Sequence, residues 1–217
     1  MGLIACLSII LPVVIIFISG MNKNKCFLFL AGSYFVNFVY YLQMLGYIRS
    51  TEQILNTIGL IDNLIEAPCI IIFLTYFTLS RNLIKRMKMV SLALLTAGII
   101  FILLMNAFSA NRLFITAGIL GVLAFSFYIL PKQIKALVVR RRISGKFLIM
   151  SALVFAYICY ASIFLSTYWF YKEGQSDAQK VLFIVTIASS IPLSAGIILE
   201  SRRYRQLRSL KSGRKIG

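Results

Sequence analysis

Residues Ile61–Ser80, IDNLIEAPCIIIFLTYFTLS, form an apolar run of bilayer length that carries two carboxylates. On a helix, spacings of three and four return to one side. Asp62 and Glu66 therefore share a face that continues through Cys69, Phe73 and Tyr76 to Ser80, while the other sides are mostly Ile and Leu. An acid in hydrocarbon costs about 2.5 kcal/mol or more unless it faces protein or water, so a carboxylate inside a membrane helix marks a functional site by default. With a helix that starts near Gly59, Asp62 stands close to the water interface. Glu66 is then about 10 Å deep and is expected to matter more than Asp62.

The rest of the chain is equally apolar. Of its 217 residues 60% are hydrophobic and 13% charged, with a mean hydropathy of +0.89, against roughly 45–50% apolar in a soluble domain. A membrane crossing takes about 20 residues, and the text divides into seven: Leu3–Gly20, Cys26–Ile48, Gly59–Leu79, Met89–Phe108, Leu113–Leu130, Phe147–Phe170 and Val181–Leu199. The expectation is an all-α polytopic membrane protein, with a bundle over 1–199 and a basic tail over 200–217. No stretch between the helices is long enough for a soluble domain, so a site must lie within the bundle or on one of its faces. The first run is not read as a signal peptide, because its positive charges, Lys23 and Lys25, follow it instead of preceding it.

The charges set the expected orientation. Of 23 Lys and Arg, 19 fall in Lys23–Lys25, Arg81–Lys88, Lys132–Lys146 and Arg202–Lys215, leaving Arg49, Arg112, Lys172 and Lys180 on the other side. The positive-inside rule then places the N-terminus outside and the C-terminus in the cytoplasm, in a plasma membrane of the bacterial inner type. Glu52, Glu173 and Asp177 fall on the outer side. The net charge of +17 is accordingly read as attraction to anionic lipid head groups and not to nucleic acid. Its expected membrane-surface residues are Arg140, Arg141 and Arg142 in one basic segment and Arg202, Arg203 and Arg205 in another.

Pro131 is expected to end the fifth helix. Beyond it, KQIKALVVRRRISGK (Lys132–Lys146) sets Ile134, Leu137 and Val138 at i, i+3 and i+4 beside basic groups, the pattern of a short helix lying on the inner leaflet. Asn56 is a plausible cap for the third helix, and Ser109–Asn111 reads as a tight turn.

Other polar residues converge on four helices. Ser33, Asn37 and Tyr41 form a seam on the second, with Asn37 near mid-membrane. Tyr157 and Tyr160 lie too deep in the sixth to serve as interface anchors, and a buried phenol needs a hydrogen-bond partner. Thr186, Ser190 and Ser194 share one side of the seventh, beside Pro192. The expected site is thus Glu66, Asp62, Asn37, Tyr157, Tyr160 and Ser190, holding a small apolar or aromatic ligand. Output would pass to a separate cytoplasmic signalling protein, since the 217 residues hold no kinase, cyclase or DNA-binding module. This is a sensor or receptor-like reading. The alternative is a small secondary transporter, proton- or solute-coupled, with a three-plus-one-plus-three helix layout.

Catalysis is not expected. The chain has no histidine, and Cys6, Cys26, Cys69 and Cys159 show no C-x-x-C spacing, so neither a metal site, a cofactor nor a nucleophile–base pair is read. Seven helices with Asp62 six residues before Pro68 in the third resemble the microbial rhodopsins. That family's retinal lysine belongs midway along the seventh helix, where this chain has Ala188–Pro192, ASSIP. The helix layout also resembles that of Sweet-type sugar transporters, but a Pro-Gln pair is missing. No functional residue is carried over from either.

The charge asymmetry generates a direct test of orientation. A cysteine introduced at Gln175 should be labelled by an impermeant thiol reagent in intact cells, and one at Ser144 should not; labelling of Ser144 alone would invert the topology.

Overall fold

The computed structural model describes residues 1–49, 51–104, 107–140, 144–166 and 175–213. Within them the chain forms seven helices and no strand: α1 (Gly2–Ile18), α2 (Lys25–Met44), α3 (Glu52–Leu74), α4 (Arg81–Leu104), α5 (Ala107–Arg140), α6 (Gly145–Leu165) and α7 (Gln175–Gly213). Six of them contain spans long and apolar enough to cross a membrane, and α1, at 17 residues, is a shorter apolar helix, near the lower limit for crossing. This is the architecture of a multi-pass membrane protein.

Packing joins α1, α2, α3, α5, α6 and α7 into a ring, each touching the next and α7 closing on α1, while α4 lies outside against α3 and α5. Aliphatic side chains cover the outer faces, and α4 exposes Leu92, Ile99, Ile100 and Leu103. Serines, a threonine and two acids are buried within: Ser33, Asp62, Thr186, Ser190, Ser194 and Glu200. Polar inside and apolar outside is the distribution lipid demands.

Several helix ends differ from their expected places, each for a local reason. The third helix starts at Glu52, capped by Thr51, whose Oγ1 accepts from the Ile54 amide at 3.4 Å. Asn56 is thus a helical residue and not the cap. The second ends at Met44 instead of Ile48 because Gly46 takes φ 78°. Its amide donates to the Gln43 carbonyl, and Tyr47 donates to Leu42, which closes the last turn as a Schellman motif. The basic stretch Arg81–Lys88 forms the first turns of α4, and Ser109–Asn111 falls inside α5.

The fifth helix does not stop at Pro131. It runs on to Arg140, so Lys132–Arg140 continues the spanning helix and is not a separate helix on the surface. Membrane helices tolerate proline when neighbours re-satisfy the freed backbone. Side chains anchor α5 on both sides of the proline: Ile129 is buried, and Gln133 donates through Nε2 to the Phe77 carbonyl at 3.4 Å. Pro12, Pro68 and Pro192 likewise sit inside α1, α3 and α7. The seventh helix passes without a break from the apolar bundle into the expected tail, as far as Gly213. Arg141, Arg142, Lys172 and Glu173, all placed by the sequence, lie outside the described residues.

The apolar core occupies the half of the bundle away from Met1. Phe27 of α2 meets Phe73 and Tyr76 edge-on at 5.2 and 5.0 Å, over Leu153 of α6 and Leu193 and Ile197 of α7. Two glycines bring the backbones of α6 and α7 together. A Cβ at Gly196 would lie 2.9 Å from the Gly145 carbonyl oxygen, and one at Gly145 would lie 2.5 Å from that of Gly196. Small residues let backbones approach this closely.

Because backbone cannot move aside as a side chain can, Gly196→Ala should destabilise the bundle by about 1–3 kcal/mol. Gly32, with open space where its Cβ would stand, should accept alanine with a gain of up to about 1 kcal/mol. The midpoint of heat-induced loss of monodisperse protein in mild detergent compares the two.

Candidate functional site

The half of the bundle nearer Met1 is less filled. A cavity of about 410 Å³ opens between α2, α3, α5, α6 and α7, within the usual range for a small-molecule site. Because α3 begins at Glu52, Asp62 and Glu66 lie about 15 and 21 Å along it. Asp62 is 6% exposed and lies in the wall of the cavity. Both acids line the cavity, with Asn37, Tyr40 and Tyr41 of α2 and Tyr157 and Tyr160 of α6. The fifth helix adds Ile115 and Ile119, and the seventh adds Ala178 and Leu182. α4 contributes nothing to it among the described residues.

The two acids are held differently. Tyr157 donates its hydroxyl to Glu66 Oε1 at 2.9 Å, so the carboxylate acts as an acceptor. Asp62 Oδ1 is buried with no hydrogen-bond partner among the described residues, and so is Asn37 Oδ1. Tyr160 reaches Thr186 Oγ1 at 3.4 Å, while the Thr186 hydroxyl donates to the Leu182 carbonyl at 2.8 Å; with one proton on that hydroxyl, Tyr160 is the donor. The Tyr157 and Tyr160 rings meet edge-on at 5.8 Å. The result is an acidic pocket with phenolic walls and, among the described residues, no basic side chain lining it.

A second, smaller cavity of about 20 Å³ adjoins the first through Asn37, Glu66, Tyr157 and Tyr160, which line both. Ser190 lines only the smaller one, with Ser33, Tyr34, Thr186 and Ser189. Its Oγ is buried and unpartnered among the described residues. The six residues singled out in the sequence therefore surround two adjoining cavities. Tyr40, Asn56 and Asn63 were missed, although Asn56, Gly59, Asn63 and Glu66 recur every three or four residues and all face the cavity. The stripe below Glu66 does something else: Phe73 is fully buried in the apolar core.

A second polar cluster ties the helices at the basic end. Tyr76 donates to Glu200 Oε1 at 2.7 Å, and Arg203 Nη1 stands 3.6 Å from the same oxygen. Lys146 donates to the Tyr76 carbonyl at 3.5 Å and lies 4.4 Å from the centre of its ring. Arg205 donates to the Ser19 carbonyl at 3.2 Å. Two of the arginines read as lipid contacts, Arg203 and Arg205, thus also make bonds within the protein. Arg202 is exposed, and the Arg140 side chain lies outside the described residues. Glu200, 4% exposed, was read only as the start of the tail.

No protein-family model, curated protein or solved structure matches this chain.

The Tyr157–Glu66 bond generates a test by substitution. Tyr157→Phe strands a buried acceptor and should cost about 1–3 kcal/mol of stability. Glu66→Leu in the same chain removes that acceptor and should restore much of the loss. Equal melting of the wild type and Tyr157→Phe in detergent would show that the bond contributes nothing.

Proposed function

We propose that this chain is a membrane sensor or receptor-like protein that takes a small ligand into the 410 Å³ cavity and passes its occupancy to the basic end. The supporting observation is that the same three helices build both polar clusters. Glu66 stands on α3 and Tyr76 on the 3-10 turn Thr75–Phe77 that ends it, Tyr157 and Lys146 on α6, and Thr186 and Glu200 on α7. A ligand that competes for Tyr157 or fills the gap beside Asp62 changes how α3 sits against α6 and α7, and Tyr76 and Glu200 join α3 to α7 at the far end. With the orientation set by the charge asymmetry, the cavity faces outward. The Glu200 cluster then faces a cytoplasmic partner and an anionic leaflet. A ligand shifts such a balance only by its difference in affinity for the two arrangements.

Two observations favour a secondary transporter as the second reading. Acids inside the bundle suit proton coupling, and the smaller cavity extends the larger one inward toward Ser190.

Small molecules retained by the protein in mild detergent, identified by mass spectrometry, test the cavity. Ala178→Trp, which fills its α7 wall, should remove the retained species and leave the protein monodisperse. Retention of the same species by Ala178→Trp would place binding elsewhere. Flux of that species in proteoliposomes, driven by a proton gradient, would favour the transporter.

A further inference from the structure

We propose that the occupant is a small organic cation, an alkyl- or arylamine held between the carboxylates of Asp62 and Glu66 and the rings of Tyr157 and Tyr160. The proposal rests on the cavity being a ligand site and adds the chemistry of the ligand. Asp62 and Glu66 are one helical turn apart, which puts their Cβ atoms about 5–6 Å from each other. No Lys or Arg lines the cavity among the described residues, so none of these balances a charge on the two acids. Buried charge is tolerated when it is paired, and a cationic guest supplies the missing partner.

The walls suit the same guest. Tyrosine faces attract an ammonium through the ring quadrupole, the principle of aromatic cages, and Tyr40, Tyr41, Tyr157 and Tyr160 all border the space. The acceptors point the same way. Asp62 Oδ1 and Asn37 Oδ1 have no donor among the described residues, and an ammonium carries donors and no acceptor. Independently of the acids, Ser190 Oγ is 1% exposed, unpartnered among the described residues and at the adjoining cavity. A polar group on the guest reaching past Tyr157 would satisfy it. A space of about 410 Å³ exceeds the needs of a bare metal ion and leaves room for a ring or short chain against Ile115 and Ile119.

Phenethylamine and its neutral isostere 2-phenylethanol separate charge from shape when titrated against the full chain in mild detergent at constant ionic strength. At about ten times its dissociation constant phenethylamine should raise Tm by about 3–5 °C, and 2-phenylethanol should have little effect. Asp62→Asn should weaken amine binding by about tenfold or more, and Glu66→Gln provides a second variant should Asp62→Asn fail to fold. Equal protection by the alcohol overturns the cationic guest and leaves the cavity as an apolar site. Protection by sodium over potassium with none from the amine also overturns it, in favour of a metal ion. Protection by none of these probes overturns the proposal. If Ala178→Trp also retains the wild-type species, the cavity reading falls with it.

Discussion

A carboxylate carried into an apolar bundle must find its hydrogen bonds inside the protein, and that constraint fixes how α3 faces its neighbours. Glu66 finds Tyr157 of α6 at 2.9 Å, across the middle of the ring, so the register of α3 against α6 is tied to one polar contact. Lipid offers no replacement partner, and little hydrophobic force distinguishes one helix neighbour from another. Polar contacts and close packing are left to decide which faces meet. Tyr76–Glu200 fixes α3 against α7 at the basic end, and the Gly145–Gly196 approach fixes α6 against α7. These three contacts, none dependent on burying apolar area, triangulate the bundle.

The two halves of the molecule follow from this arrangement. Where α6 and α7 approach through glycine, the space between the helices is filled by Phe27, Phe73, Leu153 and Ile197. Toward Met1, tyrosines on α2 and α6 stand in place of those wholly apolar residues, and a cavity is left. Larger rings with polar tips pack around a space they do not fill, because their hydroxyls are drawn to acceptors on the walls.

Much of the fold was legible because lipid is a strict solvent. Seven apolar runs of the right length could hardly be anything but helices, and their order followed from the short connections. The ends were less legible. Thr51 and Gly46 carry the signals that start α3 and end α2, but both lie beyond or within runs whose hydropathy points elsewhere. Pro131 misled because it was read as a stop, whereas a membrane helix tolerates proline in its interior and α5 runs through it. In the site, polar residues on apolar helices could be recognised singly. Their meeting could not: Ile115 and Ile119 of α5 look like any lipid-facing isoleucine, and Glu200 looks like part of a solvated tail until Tyr76 is found against it.

One contact outside the ring gives α4 a mechanical meaning. Pro68 falls on α3 between Glu66 and the turn that carries Tyr76, where the chain lacks an amide donor, and its carbonyl accepts from the buried Ser91 hydroxyl of α4 at 3.0 Å. The weakest point of the α3 backbone is thus pinned from the side, with the cavity acid above it and the Glu200-bound tyrosine below. α4 thereby braces α3 from outside the ring, between the cavity and the basic end, while lining no part of the cavity among the described residues.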